Sequence, residues 1–460
     1  MRLNALGESK ARDMKLDVDR LIDEAPISAL QYRVFVFCAV VALLDAVDSV
    51  SIGLAGPLIA TDLKMTPAAF SPVYSSGLLG AAVGALLIGP ISDRFGRKPL
   101  LVLTTATFGL FTCLTVLADS FPVLVAYRFV AGLGLGGATP CFITMAAEYA
   151  PSRSRATIVS LLWAGYPLGN SVGGFMASYV LKNFHWSMVF YVGGVPTLVV
   201  ALLILLFMPE SLRFLAIQGG RDKVLRLLRA LKMELPSDDI EIAAKAQAKT
   251  KVPIGDLFAE GRATRTILLG FILYFGFATT TVIVLQTPTL FRQAGVPLTT
   301  SAFLVGMYSI VATFGMAIAG YLLQRFGAMR ALVAPFAGGA VLVAGLGLVA
   351  ASPVAAGAVM ALLGLTASLG SSGAIAWTAA SYPTAMRSAA AGWIMCLGRF
   401  GQVCSPLIIG LMLAYGWPPA RILAVMAMAP LLAGFCVLLN AKLGGRAKVA
   451  RQLRESEEFA

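Results

Sequence analysis

"GPISDRFGRK" (residues 89–98) separates two long apolar stretches, and much of it returns as "GYLLQRFGAM" (residues 320–329). Gly89, Arg94, Phe95 and Gly96 match Gly320, Arg325, Phe326 and Gly327, each pair 231 residues apart (320 − 89). A second pair agrees within one residue: Arg155 in "APSRSRAT" and Arg387 in "YPTAMRSA" lie 232 apart (387 − 155). One plan is therefore written twice along the chain.

What each copy is made of follows from composition. The 460 residues are 58% hydrophobic and only 13% charged, with a mean hydropathy of +0.82. Such a chain is an integral membrane protein rather than a water-soluble domain. Apolar stretches long enough to cross a hydrocarbon core of about 30 Å recur throughout. The sequence predicts twelve, at 33–60, 70–91, 99–118, 121–148, 156–181 and 186–208, then at 265–291, 300–323, 330–350, 353–381, 388–414 and 418–440. The expected fold is an all-α membrane protein with twelve transmembrane helices in two six-helix pseudo-repeats. The domains are a tail at 1–32, a six-helix bundle at 33–208, a linker at 209–264, a second bundle at 265–440 and a tail at 441–460. Residues 1–30 contain no apolar core of signal-peptide length, so the first span acts as its own targeting signal.

Lys and Arg concentrate in alternate loops. Arg12, Lys15, Arg20 and Arg33 precede the first span, Arg94, Arg97, Lys98, Arg153, Arg155, Arg325, Arg330 and Arg387 occupy loops on that same side, and Lys442, Arg446, Lys448 and Arg451 follow the last span. The other loops hold little beyond Lys64, Lys182 and Arg421. Positive loops stay inside, which places both termini in the cytosol of a multi-pass protein, expected in a bacterial inner membrane. The net charge of +13 reflects this topology; its expected neighbours are membrane lipids, not nucleic acid. Six cysteines, all within predicted spans and without a C-x-x-C pair, read as small packing residues. No metal and no cofactor are expected, and nothing resembles a nucleophile, base and metal constellation of an enzyme. The chain is expected to act as a monomer.

In the linker, Val224, Leu225, Leu227, Leu228 and Leu231 form one helical face, opposite Arg221, Lys223, Arg226 and Arg229, as in a surface helix. "GLGLGG" (132–137) formally satisfies a dinucleotide-binding pattern, but it lies within a span with no strand before it. Glycines four apart, Gly132 with Gly136 and Gly80 with Gly84, suit close helix contact in lipid instead.

Ionisable residues inside the spans are few: Asp45, Asp48, Arg128, Glu148 and Arg399. Charge at membrane depth costs several kcal/mol unless paired or hydrated, so these are the candidates for function. Asp45 and Asp48, three positions apart, share a helix face with Cβ atoms about 5–6 Å apart. Two buried carboxylates that close resist being ionised together, which suits proton coupling. Arg128 is their expected partner. Arg399 falls twelve residues beyond Arg387 (399 − 387), hence roughly 18 Å into its span. Its half offers no buried acid, so it needs either a carboxylate from the first half or an anion from solution; a substrate carboxylate fits, with Tyr166, Trp393, Tyr274, Tyr308 and Trp377 as candidate walls. Glu148 is expected near Arg153 or Arg155 at the cytosolic end.

The loop at 89–98 resembles the signature of the major facilitator superfamily, G-x-x-x-D-R-x-G-R-[KR], at Gly89, Asp93, Arg94, Gly96, Arg97 and Lys98. The resemblance runs from about 30 to 440 and includes "PESLRFL" (209–215); Gln324 replaces the aspartate of the second copy. It implies a cytosolic gate of these six residues with Glu148 and Arg325. Within the superfamily the pattern resembles the aromatic acid:proton symporters. Those proteins carry D-G-x-D in the first span, an arginine early in the fourth with an acid at its end, and G-R-x-G in the eleventh. Asp45, Asp48, Arg128, Glu148 and Arg399 fall on these positions, with Ala46 in place of the glycine, and "LQTPTLFRQAGV" (285–296) extends the likeness. The resemblance implies proton-coupled import of a small aromatic carboxylate by alternating access. Protons bind Asp45 and Asp48; Arg399, Arg128, Tyr166, Trp393, Tyr274 and Tyr308 bind the substrate. The alternatives are a porter of another organic anion, or a proton-driven exporter of the same fold.

Overall fold

The structure, a computed structural model, describes residues 16–17, 22–23, 25–218, 221–231, 242–243, 254–259, 262–350, 352–383 and 386–458. Of the cations used above, Arg12, Lys15 and Arg20 lie outside them. The first half comprises α1 (Ala29–Asp62), α2 (Pro67–Phe95), α3 (Arg97–Leu114), α4 (Phe121–Tyr149), α5 (Ser152–Asn183) and α6 (Ser187–Phe207). The second begins with α7, which runs Ala263–Thr281, passes through a π-helical turn at Val282–Gln286 and ends as Thr287–Gln293. The helical stretch Leu298–Val349 is broken at Gly327 into α8 (298–326) and α9 (328–349). Then come α10 (Pro353–Ser381), α11 (Arg387–Ala414) and α12, which is Pro419–Met426 continued by Met428–Glu458.

Ten of these stretches are long and apolar enough to cross a membrane. Dividing Leu298–Val349 at Gly327 makes eleven, and α5, the least apolar, completes twelve. Its polar and small residues pack on the other half: Ser171 Oγ donates to Gly306 O at 3.0 Å and Ser178 Oγ to Thr299 O at 2.9 Å. Among the described residues the strand pairing is two residues long, Leu16–Asp17 parallel to Ile242–Ala243, joining the tail to the linker.

Both copies of the repeated loop turn on a glycine in the left-handed region, Gly96 at φ 101° and Gly327 at φ 74°. Side chains with a Cβ rarely adopt that conformation, and at Gly96 a Cβ would also stand 2.7 Å from Glu210 Oε2. The second repeated feature is physical too. A Cβ on Gly136 would lie 1.8 Å from Ala81 O, one on Gly132 2.1 Å from Gly77 O, and one on Gly80 2.1 Å from Phe129 O. The "GLGLGG" run is thus the surface on which α2 and α4 touch backbone to backbone. Gly136→Ala is expected to force them apart and cost about 1–3 kcal/mol. Thermal melting of detergent-solubilised protein checks this; an unchanged midpoint would contradict it.

Three apolar clusters show how the halves meet. One contains residues of both halves: Val50, Leu54 and Ile59 of α1, Phe70 and Tyr74 of α2, Leu285 and Phe291 of α7, and Val305 and Tyr308 of α8. It lies at the end of the bundle away from the termini. At the other end the clusters are separate. One, with Val34, Leu101, Met145 and Ile204, belongs to the first half; another, with Leu269, Leu332, Ala390 and Val437, belongs to the second. The halves are therefore joined at the far end and part toward the end that carries the termini. The linker helix Arg221–Ala230 buries Val224 and Leu228 in the first-half cluster, while Lys223, Arg226 and Arg229 are exposed. Leu86, Leu202, Leu206, Val341 and Leu348 are exposed around the bundle, as suits a lipid environment.

Candidate functional site

Between the halves lies a cavity whose walls include Asp45, Asp48, Arg128, Tyr166 and Arg399. Five residues from four helices and both repeats thus converge. Asp48 is 2% exposed and Arg128 3%. Arg128 Nη1 stands 3.6 Å from Asp48 Oδ1, which also accepts a 2.5 Å hydrogen bond from Thr112 Oγ1. Arg128 Nη2 donates to Thr115 Oγ1 at 2.6 Å, and its guanidinium lies over the Phe190 ring at 5.4 Å. Nη1 and Nη2 are thereby engaged, while the buried Nε makes no hydrogen bond within the described protein; Arg128 thus forms a buried ion pair with Asp48 at the cavity wall.

Asp45 has different company. Ser49 Oγ donates to its Oδ1 at 3.4 Å, Thr139 of α4 lies beside it at the cavity wall, and the facing charge is Arg399 of the other half. Tyr166 and Ser49 line the same wall, and Tyr166 lies within the field of Asp45 and Arg399. Ala46, where the resemblance expects glycine, is accommodated because its Cβ faces Gly169 of α5. Two carboxylates three residues apart are thus sorted by their surroundings: one locked in a pair, the other at a cavity wall opposite a cation.

Four of the aromatic candidates lie elsewhere. Trp393 packs edge-on against Phe258 at 5.8 Å, beside the second-half cluster, as does Trp377. Tyr274 is held among Phe271 and Phe275, with its backbone against Gly401. Tyr308 is buried behind the wall, near Thr280, which itself lines the cavity. The wall is instead completed by Tyr74, Trp163, Asn170 and Gln402. Asn170 Oδ1 and Gln402 Oε1 are buried and make no hydrogen bond within the described protein. A search for neutral polar residues inside the spans, besides the ionisable ones, would have found both.

The far end of the cavity is shut by contacts between halves. Tyr74 OH and Thr289 Oγ1 are 3.2 Å apart, Ser75 Oγ donates to Val403 O at 2.8 Å, and Arg292 donates to the Pro57 carbonyl. A Cβ on Gly53 would stand 2.8 Å from the Cα of Leu285, which follows from how tightly α1 and the π-helical turn meet.

At the opposite end, Arg97 gathers the charges of the repeated loop. Its Nη1 contacts Glu148 Oε1 at 2.8 Å and its Nη2 contacts Asp93 Oδ1 at 3.3 Å; Nη1 also donates to Ser211 Oγ at 2.8 Å. Glu148 therefore pairs with Arg97 rather than with Arg153 or Arg155, because Arg97 and not the start of α5 lies beside the end of α4. Glu210, unassigned from the sequence, accepts from the backbone N–H of Arg97 at 3.0 Å and of Lys98 at 3.1 Å, capping α3 where a helix N-terminus favours an anion. Arg94 lies over Phe95. Arg325 donates to Tyr321 OH at 2.6 Å; Gln324 offers it no carboxylate.

The profile of the Major Facilitator Superfamily matches residues 38–365 and again, in an overlapping second match, 267–457. The chain belongs to this superfamily. It is accordingly a multi-pass membrane transporter and not an enzyme, and a match that restarts at the second half reflects the internal repeat of superfamily folds. The 4-hydroxybenzoate transporter PcaK of Acinetobacter baylyi is 29% identical, covering 92% of this chain and 94% of that protein. The gallate transporter of Pseudomonas putida is 28% identical over 93% and 96%. The 3-(3-hydroxy-phenyl)propionate transporter of Escherichia coli K12 is 30% identical over 87% and 92%. A D-xylose-proton symporter of the superfamily superposes with a TM-score of 0.69 at 16% identity, covering 89% of this chain and 97% of that one. Its identity is too low to speak for more than the fold. In superfamily terms, the cluster around Arg97 is the loop between the second and third helices, here bonded within its own half.

Proposed function

We propose that this protein is a proton-coupled importer of a small aromatic carboxylate, hydroxybenzoate-like, seated in a bacterial inner membrane with both termini cytosolic. The observation that carries the reading is the placement of Arg399 opposite Asp45 in one cavity between the halves. A planar guanidinium takes a carboxylate on two parallel bonds and stacks on rings; Trp163 and Tyr166 are the rings at hand. The orphan oxygens of Asn170 and Gln402 suit a ring hydroxyl as donor. The named relatives support the same class, since 4-hydroxybenzoate, gallate and 3-(3-hydroxyphenyl)propionate share a ring, a carboxylate and at least one ring hydroxyl.

In this reading the end shut by the contacts between halves faces outward and the end that carries the termini faces the cytosol. A proton on Asp45 removes a charge that otherwise resists desolvation, and a carboxylate on Arg399 neutralises the other. A site with both neutralised can close and turn over, whereas a half-loaded one retains buried charge. Asp48 and Arg128 hold α1, α3 and α4 in register around it. The test is uptake of radiolabelled benzoate, 4-hydroxybenzoate, protocatechuate and gallate into liposomes of the purified protein, with and without an inward proton gradient. Gradient-driven accumulation lost on collapse of the gradient is expected. Accumulation of another organic anion alone, or gradient-driven extrusion, would replace the reading by a different cargo or by export.

A further inference from the structure

Beyond the closed far end of the central cavity lies a second pocket, formed by α1, α2 and the last turns of α7. Its rim residues Thr61 and Gln293 are exposed, so it opens at the end away from the termini. Arg292 is its cation. No Asp or Glu lines it, and among the described residues Arg292 makes no ion pair; its partner is the neutral carbonyl of Pro57, which also accepts from Thr61 Oγ1 at 2.8 Å. Phe70 and Tyr74 supply an edge-to-face aromatic wall with centroids 5.1 Å apart. Tyr74 borders both pockets, and its bond to Thr289 stands at the partition between them.

We propose that this pocket is an outer capture subsite for the aromatic carboxylate, with Arg292 holding the carboxylate and Phe70 and Tyr74 the ring. The inference rests on the aromatic-acid reading above. Arg292 and Pro57 sit in different halves, so their bond breaks when the far end opens, as does that of Tyr74 to Thr289. The freed guanidinium then faces the outer solution without a counter-ion, in a low-dielectric recess that concentrates anions. Arg399 lies on the same route, past the parted Tyr74. An arginine placed beside two rings repeats the chemistry of the inner site at the mouth of the path.

The experiment uses 4-hydroxybenzoate as probe and liposomes with uniformly oriented full-length protein, measuring KM from the outer face and, separately, from the inner face. Arg292→Gln is expected to raise the outer KM about tenfold while leaving the inner KM within about twofold, and Arg292→Lys to fall between it and the wild type. An outer KM equal to that of the wild type overturns the proposal. So does a joint shift of both KM values, which marks Arg292 as a latch alone. Should the glutamine variant fail to insert, an unshifted outer KM in Arg292→Lys overturns it equally. A wild type that transports no aromatic acid overthrows the functional reading and this inference together; wild-type transport with an unshifted variant overthrows this inference only.

Discussion

Arg399→Lys is expected to raise the KM for aromatic-acid uptake by roughly 10- to 100-fold, the loss of one charge-assisted bond of about 1.5–3 kcal/mol. Lysine keeps the positive charge facing Asp45, so the field across the cavity is least disturbed. What it loses is the planar fork, because an ammonium is a compact charge that cannot bind both carboxylate oxygens in plane. The change therefore separates geometry from charge. The same argument predicts selectivity: benzamide, isosteric but neutral, should compete with neither protein, whereas benzoate should compete with the wild type far better than with the variant. Initial-rate uptake at varied substrate concentration, with unlabelled competitors, measures both. An unchanged KM would remove Arg399 from substrate docking and leave it as the counter-charge of Asp45.

How far the site could be read beforehand depended on the residue type. A charge inside an apolar span has few reasons to be there, and so Asp45, Asp48, Arg128 and Arg399 stood out; their side chains meet around one cavity. Aromatic residues carry no such signal. In a span that is apolar on every face, the 3.6-residue period does not say which side looks inward, and Trp393, Tyr274 and Tyr308 face packing partners while Tyr74 and Trp163 face the cavity. The loop glycines were legible as a repeat because Gly96 and Gly327 meet one backbone demand twice. Glu210 was not, since its role as the cap of α3 depends on the linker folding back to the second loop, a contact that spacing along the chain does not encode. The division of labour between Asp45 and Asp48 was hidden for a similar reason: which of the two meets Thr112 and Arg128 depends on how α3 and α4 pack on α1, not on spacing along the chain.

That division yields the sharpest expectation. For a symport of one proton with one monovalent anion, each unit of imposed pH gradient supports about tenfold accumulation. Asp45→Asn copies the protonated carboxyl permanently, so the carrier can close around substrate but no longer needs a proton to do so. The accumulation ratio should fall to about one at any gradient while exchange of internal for external substrate continues. Asp48→Asn should fail differently. It leaves Arg128, 3% exposed, without the carboxylate 3.6 Å away, and stranding one member of a buried pair costs about 3–5 kcal/mol. The expected result is a loss of folded protein, recovered when Arg128→Gln is introduced with it, because the second change removes the stranded charge. Uptake, exchange and thermal melting on the same three preparations decide the matter. Should Asp48→Asn fold normally and lose accumulation while Asp45→Asn keeps it, the proton belongs to the paired carboxylate, and Arg128 must release Asp48 in each cycle.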